Sequence, residues 1–404
     1  MSIISILVKN VKRLLKDGIG NGDLAVGEQI ENTFEGKEYS AIFDGDGLTA
    51  IPGLIDMHVH FRDPMDVEKE DVISGSKAAA NSGHTFVNLM YDSVPELSIP
   101  ETLDYVLEKV KEVGLVDAEQ SVFIGRKKGE PIKDFLIKLD KRVKTVVIER
   151  SANLTGEELL LAMKHCHDNN LLLMIQAEDR TISNNYTDIS EYIESVRCCD
   201  ISMIGPYPIH FTHAASSRAI EAMVEYRKMG GLITSDITPH HILLENNSFK
   251  VNPPIKSSEE RKKLADLILN KGIEVIATDH APLSEEDLNS GKTGIVGLET
   301  AFGLMYGNFV DNSLITLSDL VDLMSLNPAK LLKLNKGKLE EGFDGDVFIF
   351  DPNVETVVNP ENFQSKSRNT PFVGSKMKGL PVLVIKGGKV TYLNEAYKDR
   401  LSVV

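Results

Sequence analysis

The sequence predicts an α/β fold, a (β/α)8 TIM-like barrel with a small β-sandwich domain built from both chain ends. Three observations predict it. Eight apolar runs alternate with amphipathic segments, polar residues follow the ends of those runs, and shorter strand patterns with Gly and Asp turns occupy the two flanks. With 404 residues, of which 42% are hydrophobic, the chain is long enough to bury a core of this size.

Eight runs rich in Val, Ile and Leu follow one another along the middle of the chain. Each is continuously apolar rather than alternating, which is typical of parallel strands buried on both faces. The segments between them are amphipathic: residues 155–170 begin with Thr155 as N-cap and Glu158 three residues later, and residues 216–231 end in glycine. We therefore expect strands at 51–60, 84–92, 121–125, 145–149, 171–176, 208–213, 231–236 and 273–280.

The two flanks have a different pattern from the middle of the chain. Both carry short strand patterns, and in "LPVLVIKGGKV" a Gly-Gly pair after an apolar run indicates a hairpin. We expect residues 1–50 and 338–404 to form one small β-domain and residues 51–337 to form the barrel.

The amino-acid composition of the chain restricts the classes of molecule that it is expected to bind. The net charge of −16 argues against nucleic acid, because phosphate binding requires a basic surface, and an anionic substrate has to be attracted by local cations. Three cysteines make no disulfide framework and fit a reducing, cytoplasmic setting. The absence of an 18-residue apolar run predicts that the chain does not enter a membrane.

Histidines and an aspartate lie where the predicted strands end. Active sites of such barrels lie at the carboxyl ends of the strands. His58 and His60 are two residues apart, so they share one face of the first strand, while His213 ends the sixth strand and Asp279 the eighth. A single histidine at a strand end is more often structural, but four such residues together predict a site for a divalent metal, with zinc as the expected ion.

Metal-assisted hydrolysis is the chemistry that this pattern favours. Zn²⁺ lowers the pKa of bound water from about 16 to near 7, and a neighbouring carboxylate can accept the water proton. Asp279 is the candidate for both ligand and base, although it could instead cap a turn before Pro282. Arg62 could bind a substrate carboxylate through its guanidinium, or could form an ion pair with Asp63 or Asp66.

These motifs resemble the amidohydrolase superfamily, and more closely its type I dihydroorotases with their hydantoinase and allantoinase relatives. The resemblance extends from end to end, as far as "NPAKLLKLNKGKLEEGFDGDVFIFD" near the close. The motifs that carry it are "PGLIDMHVHFRDP", "HFTHAASSRAIEAM", "ITPHHILL", "KVNPPIKSSEER", "IATDHAP" and "GLETAFGLM".

The resemblance implies a reversible ring closure in pyrimidine synthesis, in which N-carbamoyl-L-aspartate loses water to give dihydroorotate. By motif position, one metal would be held by three side chains, with Asp279 also acting as acid and base, and His213 would serve a second metal. Substrate would contact Arg62 and Asn252, under a loop from Gly294 to Gly297. The three ligands of the first metal would be His58, His60 and Asp279.

Four positions depart from the family pattern. Gln176 stands where the fifth strand of the family ends in histidine, and an amide oxygen is a weak ligand, so one zinc ion is expected rather than two. Glu149 stands near the place of the carboxylate or carboxylated lysine that bridges two metals. Asp92 replaces an amide donor beside the expected substrate carboxylate, and Leu283 replaces a histidine that contacts substrate.

Three hypotheses follow from these departures. The first is a dihydroorotase with one metal and a remodelled pocket. The second is a hydrolase for a different cyclic amide or imide, hydantoinase-like, with Asp92 and Leu283 selecting a less acidic ring. The third is a catalytically impaired scaffold that partners a pyrimidine-pathway enzyme such as aspartate carbamoyltransferase. A homodimer is a further expectation, because barrels of this size often pair through their outer helices.

Overall fold

The computed structural model of the chain describes eight stretches of residues, and all statements about structure concern these. No helix within them combines the length and the apolar character needed to cross a membrane. The stretches are 5–15, 18–31, 38–90, 100–124, 131–149, 152–182, 186–247 and 249–404.

Parallel strands in the middle of the chain form the predicted barrel. One sheet pairs β6, β7 and β8, and a second pairs β9 to β14 in sequence order. A parallel bridge between Val59 and His280 joins the first strand to the segment after the last one. The strands are β6 Leu54–Val59, β7 His84–Leu89, β8 Asp117–Gln120, β9 Val122–Phe123, β10 Thr145–Ile148, β11 Leu172–Ile175, β12 Ile209–Phe211, β13 Ile233–Ile237 and β14 Val275–Ile276.

The third strand begins earlier than the apolar run predicts. It comprises β8 and β9, which flank Ser121, so the prediction of a start at residue 121 is wrong by four residues. Asp117 begins the strand with a polar side chain, so an apolar pattern does not include it. Its carboxylate contacts the ammonium groups of Lys336 and Lys386, which compensate the negative charge at the start of this barrel strand.

Helices cover the outside of the barrel. The predicted start of α4 is confirmed: Thr155 is its N-cap, and its backbone N–H donates to the Glu158 carboxylate at 2.8 Å. The helices are α1 Val72–Asn81, α2 Pro100–Val113, α3 Ile132–Ile137, α4 Gly156–Asp168, α5 Thr187–Ser202, α6 Ser217–Lys228, α7 Pro239–Leu243, α8 Ser258–Leu269, α9 Glu285–Ser290, α10 Leu298–Met305, α11 Leu317–Val321 and α12 Asn327–Leu332.

A second sheet combines strands from both chain ends. Its order is β17-β16-β15-β5-β1-β2-β3, and β4 pairs with β1 and β18. The predicted hairpin is confirmed between β16 and β17, where Gly387 and Gly388 have φ of 52° and 76°. The strands are β1 Ile6–Leu15, β2 Gly18–Val26, β3 Ile30–Glu31, β4 Ala41–Asp44, β5 Thr49–Pro52, β15 Val347–Val357, β16 Lys376–Lys386, β17 Lys389–Leu393 and β18 Leu401–Val403.

Strand β1 is the point at which this second sheet divides. It pairs in parallel with β4 through one half of its length and with β5 through the other. The two branches share one apolar core, to which Phe43 contributes from β4 and Val347 and Ile349 contribute from β15. Both chain ends therefore belong to one unit, while the domain boundaries at residues 50 and 338 stay a prediction.

A buried lysine connects the second sheet to the barrel. Lys336 Nζ lies 3.0 Å from a carboxylate oxygen of Asp117 at the start of β8, and it also contacts Asp344 and Asp346 just before β15. Burial acts to lower the pKa of this ammonium, but the surrounding carboxylates outweigh burial and raise it. Lys336 is therefore a charged residue whose removal leaves Asp346 buried without its principal counter-ion.

We predict that Lys336→Ala lowers the free energy of unfolding by about 3–5 kcal/mol, because breaking a buried ion pair leaves an uncompensated charge. The control is Lys398→Ala, which removes the partner of the exposed Glu395 and should cost less than about 1 kcal/mol. Urea titration followed by circular dichroism measures both variants. Equal stability losses in the two variants would contradict this role of Lys336.

Candidate active site

The closing edge of the barrel brings together side chains from the first and last strands. His58 lies on β6, and His60 is the first residue after that strand. Asp279 lies three residues beyond the end of β14. The bridge between Val59 and His280 holds these two segments side by side, and the His60 N–H donates to the His280 carbonyl at 2.8 Å. Residues separated by about 220 positions in sequence thus become neighbours.

His58, His60 and Asp279 form a compact group of metal-binding atoms. His58 Nε2 lies 3.2 Å from His60 Nε2 and 3.2 Å from Asp279 Oδ1, and His60 Nε2 lies 3.6 Å from the same oxygen. Ligand atoms about 2.0–2.1 Å from an ion in tetrahedral geometry lie roughly 3.3–3.4 Å from one another. The two imidazole nitrogens and the carboxylate oxygen therefore fit a tetrahedral divalent ion such as zinc.

The protonation states of the group suit a metal ligand. Burial lowers the pKa of the His58 imidazole to about 4, so the ring is neutral at pH 7. Its Nδ1 lies 2.7 Å from Thr212 Oγ1, and donation of the Nδ1–H to this hydroxyl leaves the Nε2 lone pair facing His60 and Asp279. Burial acts to raise the pKa of Asp279, but the neighbouring imidazoles outweigh burial and lower it, so the carboxylate is ionised.

Two buried carboxylates that were not predicted from the sequence hold the backbone of the site. Asp56 Oδ1 accepts hydrogen bonds from the N–H groups of His58 and Thr278, both at 3.1 Å, and so joins β6 to the segment after β14. Asp236 Oδ1 accepts from the His213 N–H at 2.6 Å. An acidic residue inside a continuous apolar run, as in "GLIDMHVH", is the sequence signal that could have revealed Asp56.

Three residues of the site have a left-handed backbone. The φ angles are 58° at Arg62, 42° at His213 and 51° at Asp279. This conformation is costly for residues other than glycine, by about 1–3 kcal/mol each, and persists where surrounding contacts fix it. Such backbone strain at three neighbouring polar residues supports a functional role for them.

A cavity of about 500 Å³ opens above the three-residue group, within the usual size range of small-molecule sites. The His213 ring lies 5.2 Å from that of His58, measured between ring centroids. Of the predicted site residues, His58, His60, Arg62, Glu149, Gln176, His213, Asn252 and Asp279 line the cavity, as do Leu283 and Gly294. Asp92 lies outside the described residues. Within the described part of the chain, Glu149 does not join the compact group of metal-binding atoms.

Gly297 lies behind the cavity rather than in its lining. Its N–H donates to His280 Nδ1 at 3.3 Å, and a Cβ atom at this position would lie 2.9 Å from the carbonyl oxygen of Thr278. The close approach of two backbone segments therefore explains the glycine. Of the predicted glycine loop, Gly294 is the residue that lines the cavity.

The structure bears on the two roles predicted for Arg62, a contact with a substrate carboxylate or an ion pair with Asp63 or Asp66. The Asp63 carboxylate contacts Lys109 and Tyr105, and Asp66 lies 3.0 Å from Lys69, so each of these acids has another partner. Arg62 Nε donates to the Pro282 carbonyl at 3.4 Å. This contact holds the guanidinium at the cavity, beside the segment that follows Asp279.

Three further buried histidines, His84, His240 and His241, have different surroundings. His84 Nδ1 lies 3.0 Å from Ser82 Oγ at the start of β7, at the opposite end of the barrel from the cavity. His241 is held at both ring nitrogens, by the Thr238 hydroxyl and the Pro253 carbonyl. His240 is buried beside it, and burial lowers its pKa to about 4. Neither His240 nor His241 joins the metal-binding group within the described residues.

Comparison with known proteins assigns the family. The model of the amidohydrolase family matches residues 49–391, which is most of the chain.

The chain belongs to the amidohydrolase family.

Among curated relatives, dihydroorotase of Clostridium botulinum (strain Eklund 17B / Type B) is 35% identical over 94% of this chain and 94% of its own length. Dihydroorotase of Halalkalibacterium halodurans is 32% identical over 95% of each chain. Among solved structures of this fold, L-hydantoinase from Arthrobacter aurescens superimposes with a TM-score of 0.83 at 24% identity, covering 95% of both chains. The last likeness shows the shared fold of these amidohydrolases.

We predict that Thr212→Val weakens metal binding by about 10–100-fold, because loss of the partner at Nδ1 releases the orientation of the His58 ring. The matched control is Thr234→Val, since Thr234 Oγ1 makes the same kind of contact with His210, which lies outside the three-residue group. Competition with a chromophoric chelator measures the affinity. Equal affinities in Thr212→Val and the unmodified protein would refute the orienting role.

Proposed function

We propose that this chain is a dihydroorotase, a hydrolase that interconverts N-carbamoyl-L-aspartate and dihydroorotate in pyrimidine biosynthesis. The single observation that carries the proposal is the group of His58, His60 and Asp279 at the base of a cavity that also exposes Arg62. The curated relatives named dihydroorotase, which match nearly the whole chain, support the same substrate.

A divalent ion held by His58, His60 and Asp279, when bound, supplies Lewis acidity and makes water a nucleophile at neutral pH. In the direction of ring opening, water adds to the ring carbonyl carbon, the carbon–nitrogen bond breaks, and the ring nitrogen takes up a proton. Asp279 is the group that accepts the proton of the attacking water and passes it to this nitrogen, because its ionised carboxylate lies at the reacting end of the cavity.

Substrate orientation falls to the side chains on the wall of the cavity. Arg62 can form paired hydrogen bonds with the substrate carboxylate, and the Asn252 amide lies on the same cavity. Lys69 and Lys292 also line it, although both contact the carboxylate of Asp287. The net charge of −16 repels an anionic substrate, and these local cations attract it to the cavity.

We propose a centre with one zinc ion. The side chains available for a second ion are His213, Gln176 and Glu149, all of which line the cavity. A neutral amide is a weak ligand beside imidazole and carboxylate, so Gln176 leaves this position with low affinity. His213 stays beside His58, where it can contact substrate or water.

A hydantoinase-like hydrolase remains a second candidate, because one observation favours it. Leu283 is buried in the cavity wall, so the wall is apolar where the dihydroorotase pattern places a histidine. An apolar wall suits an uncharged ring better than a substrate that carries a carboxylate. The third candidate, an impaired scaffold, is disfavoured by the compact geometry of the metal-binding group.

Partners and location form a separate part of the proposal. The cavity fits a small-molecule substrate, and we keep a homodimer and a pyrimidine-pathway enzyme as proposed protein partners. We also propose a cytoplasmic location, with no nucleic-acid or membrane partner. The cysteines support a reducing compartment, since Cys166, Cys198 and Cys199 are all buried free thiols.

We predict that protein loaded with zinc opens dihydroorotate faster than hydantoin or dihydrouracil, as measured by absorbance assays on the three substrates. Asp279→Asn should lower kcat at least about 100-fold, because the amide cannot accept a proton. Asp266→Asn, at an exposed position on α8, is the matched control and should retain full activity. Opening of a neutral ring with dihydroorotate inert would favour the hydantoinase-like candidate, and inactivity on all three would favour the scaffold.

We predict that Gln176→His raises the zinc content from about one to about two ions per chain, because imidazole restores a strong ligand beside His213 and Glu149. Elemental analysis after purification without chelator measures the content. The control Gln29→His places the same side chain at an exposed position between β2 and β3 of the second sheet. Two ions already present in the unmodified protein would refute the one-ion centre.

A further inference from the structure

A segment near the end of the chain lies against the catalytic face of the barrel. Residues 364–369 follow the short helix Pro360–Asn362 and precede β16, yet Ser365, Ser367 and Asn369 are all buried. We propose that this segment positions the walls of the substrate cavity, with Asn369 as the positioning residue for the loop that carries Leu283. The effect on substrate rests on the proposed function, whereas the effect on the loops does not.

Asn369 connects two walls of the cavity through three hydrogen bonds. Its Oδ1 accepts from the Leu283 N–H at 3.2 Å, and its Nδ2 donates to the Ala281 carbonyl at 3.3 Å. Its own carbonyl accepts from the Val296 N–H at 2.8 Å. Ala281 and Leu283 both line the cavity, and Val296 lies two residues after the lining Gly294. One side chain therefore fixes the segment that directly follows Asp279.

The other end of the segment contacts a third wall. Ser367 Oγ donates to the Lys69 carbonyl at 2.8 Å, and Lys366 Nζ lies 2.6 Å from a carboxylate oxygen of Asp71. The Lys366 N–H donates to the buried carboxylate of Glu70 at 3.3 Å. Lys69 lines the cavity, so the segment also holds the loop after Arg62.

Glu70 extends this network to the residue beside Asp279. Its Oε2 accepts a hydrogen bond from Ser365 Oγ and lies 3.4 Å from His280 Nε2. His280 Nδ1 in turn accepts from the Gly297 N–H. The side chains of the segment, Glu70 and His280 thus form a continuous polar layer behind the cavity.

This layer acts through its neighbours rather than on substrate. None of residues 364–369 is among the described residues that line the cavity. The contacts of Asn369 are directional and buried, and removal of the amide leaves the Leu283 N–H without its acceptor. The metal-binding group depends instead on the bridge between Val59 and His280, whereas the described hydrogen bonds of Asn369 go to Ala281, Leu283 and Val296.

The test compares Asn369→Ala and Asn369→Asp with Asn353→Ala, an exposed asparagine on β15. Hydrogen–deuterium exchange with mass spectrometry should show faster exchange in peptides covering 281–297 in Asn369→Ala, with the barrel strands unchanged. The KM for dihydroorotate should rise about tenfold, because the wall contacts substrate and transition state alike, while kcat stays within about twofold and zinc content is unchanged. Asn353→Ala should match the unmodified protein in every readout.

Asn369→Asp retains the acceptor for the Leu283 N–H but places a carboxylate oxygen against the Ala281 carbonyl, so its exchange and KM should fall between those of Asn369→Ala and the unmodified protein. If Asn369→Ala does not fold, Asn369→Asp decides by the same readouts. Three results would each overturn the proposal: an unchanged exchange rate at 281–297, a uniform rise of the exchange rate across the barrel, or a loss of zinc together with a fall in kcat. Failure of the unmodified protein to open dihydroorotate would defeat the proposed function alone, since the exchange measurement would still decide this inference.

Discussion

The site depends on the closure of the barrel between its first and last strands. The bridge between Val59 and His280 brings the end of β6 beside the segment after β14, and Asp56 bonds to backbone N–H groups on both sides. Because His58 precedes Val59 and Asp279 precedes His280, this pairing sets the separation of their ligand atoms. The geometry of the metal-binding group is therefore a consequence of strand register.

A divalent cation accounts for a group that is otherwise unfavourable. Two imidazoles and a carboxylate crowd within 4.8 Å of one another in a buried position, and left-handed backbone at Asp279 adds strain. A bound ion would compensate both costs by coordinating the facing lone pairs. Thr212 and Asp236 support this arrangement from behind, the first at the His58 ring and the second at the His213 backbone.

The sequence predicted much of the fold and part of the site. Continuous apolar runs locate the barrel strands, since strands buried on both faces carry few polar residues, but the polar start of β8 at Asp117 escapes this rule. Spacing predicts that His58 and His60 share a face. The contacts of Asn369 with the loop after Asp279 could not be predicted, because they join residues about 90 positions apart through a segment without regular secondary structure.

The central claim is that His58, His60 and Asp279 together hold one divalent ion at the closing edge of the barrel. The most direct measurement is an anomalous difference map, collected at the zinc edge from crystals of protein purified without chelator. The account predicts one strong peak about 2.0–2.2 Å from His58 Nε2, His60 Nε2 and the Asp279 carboxylate. A map with no peak within coordinating distance of these three side chains would contradict it.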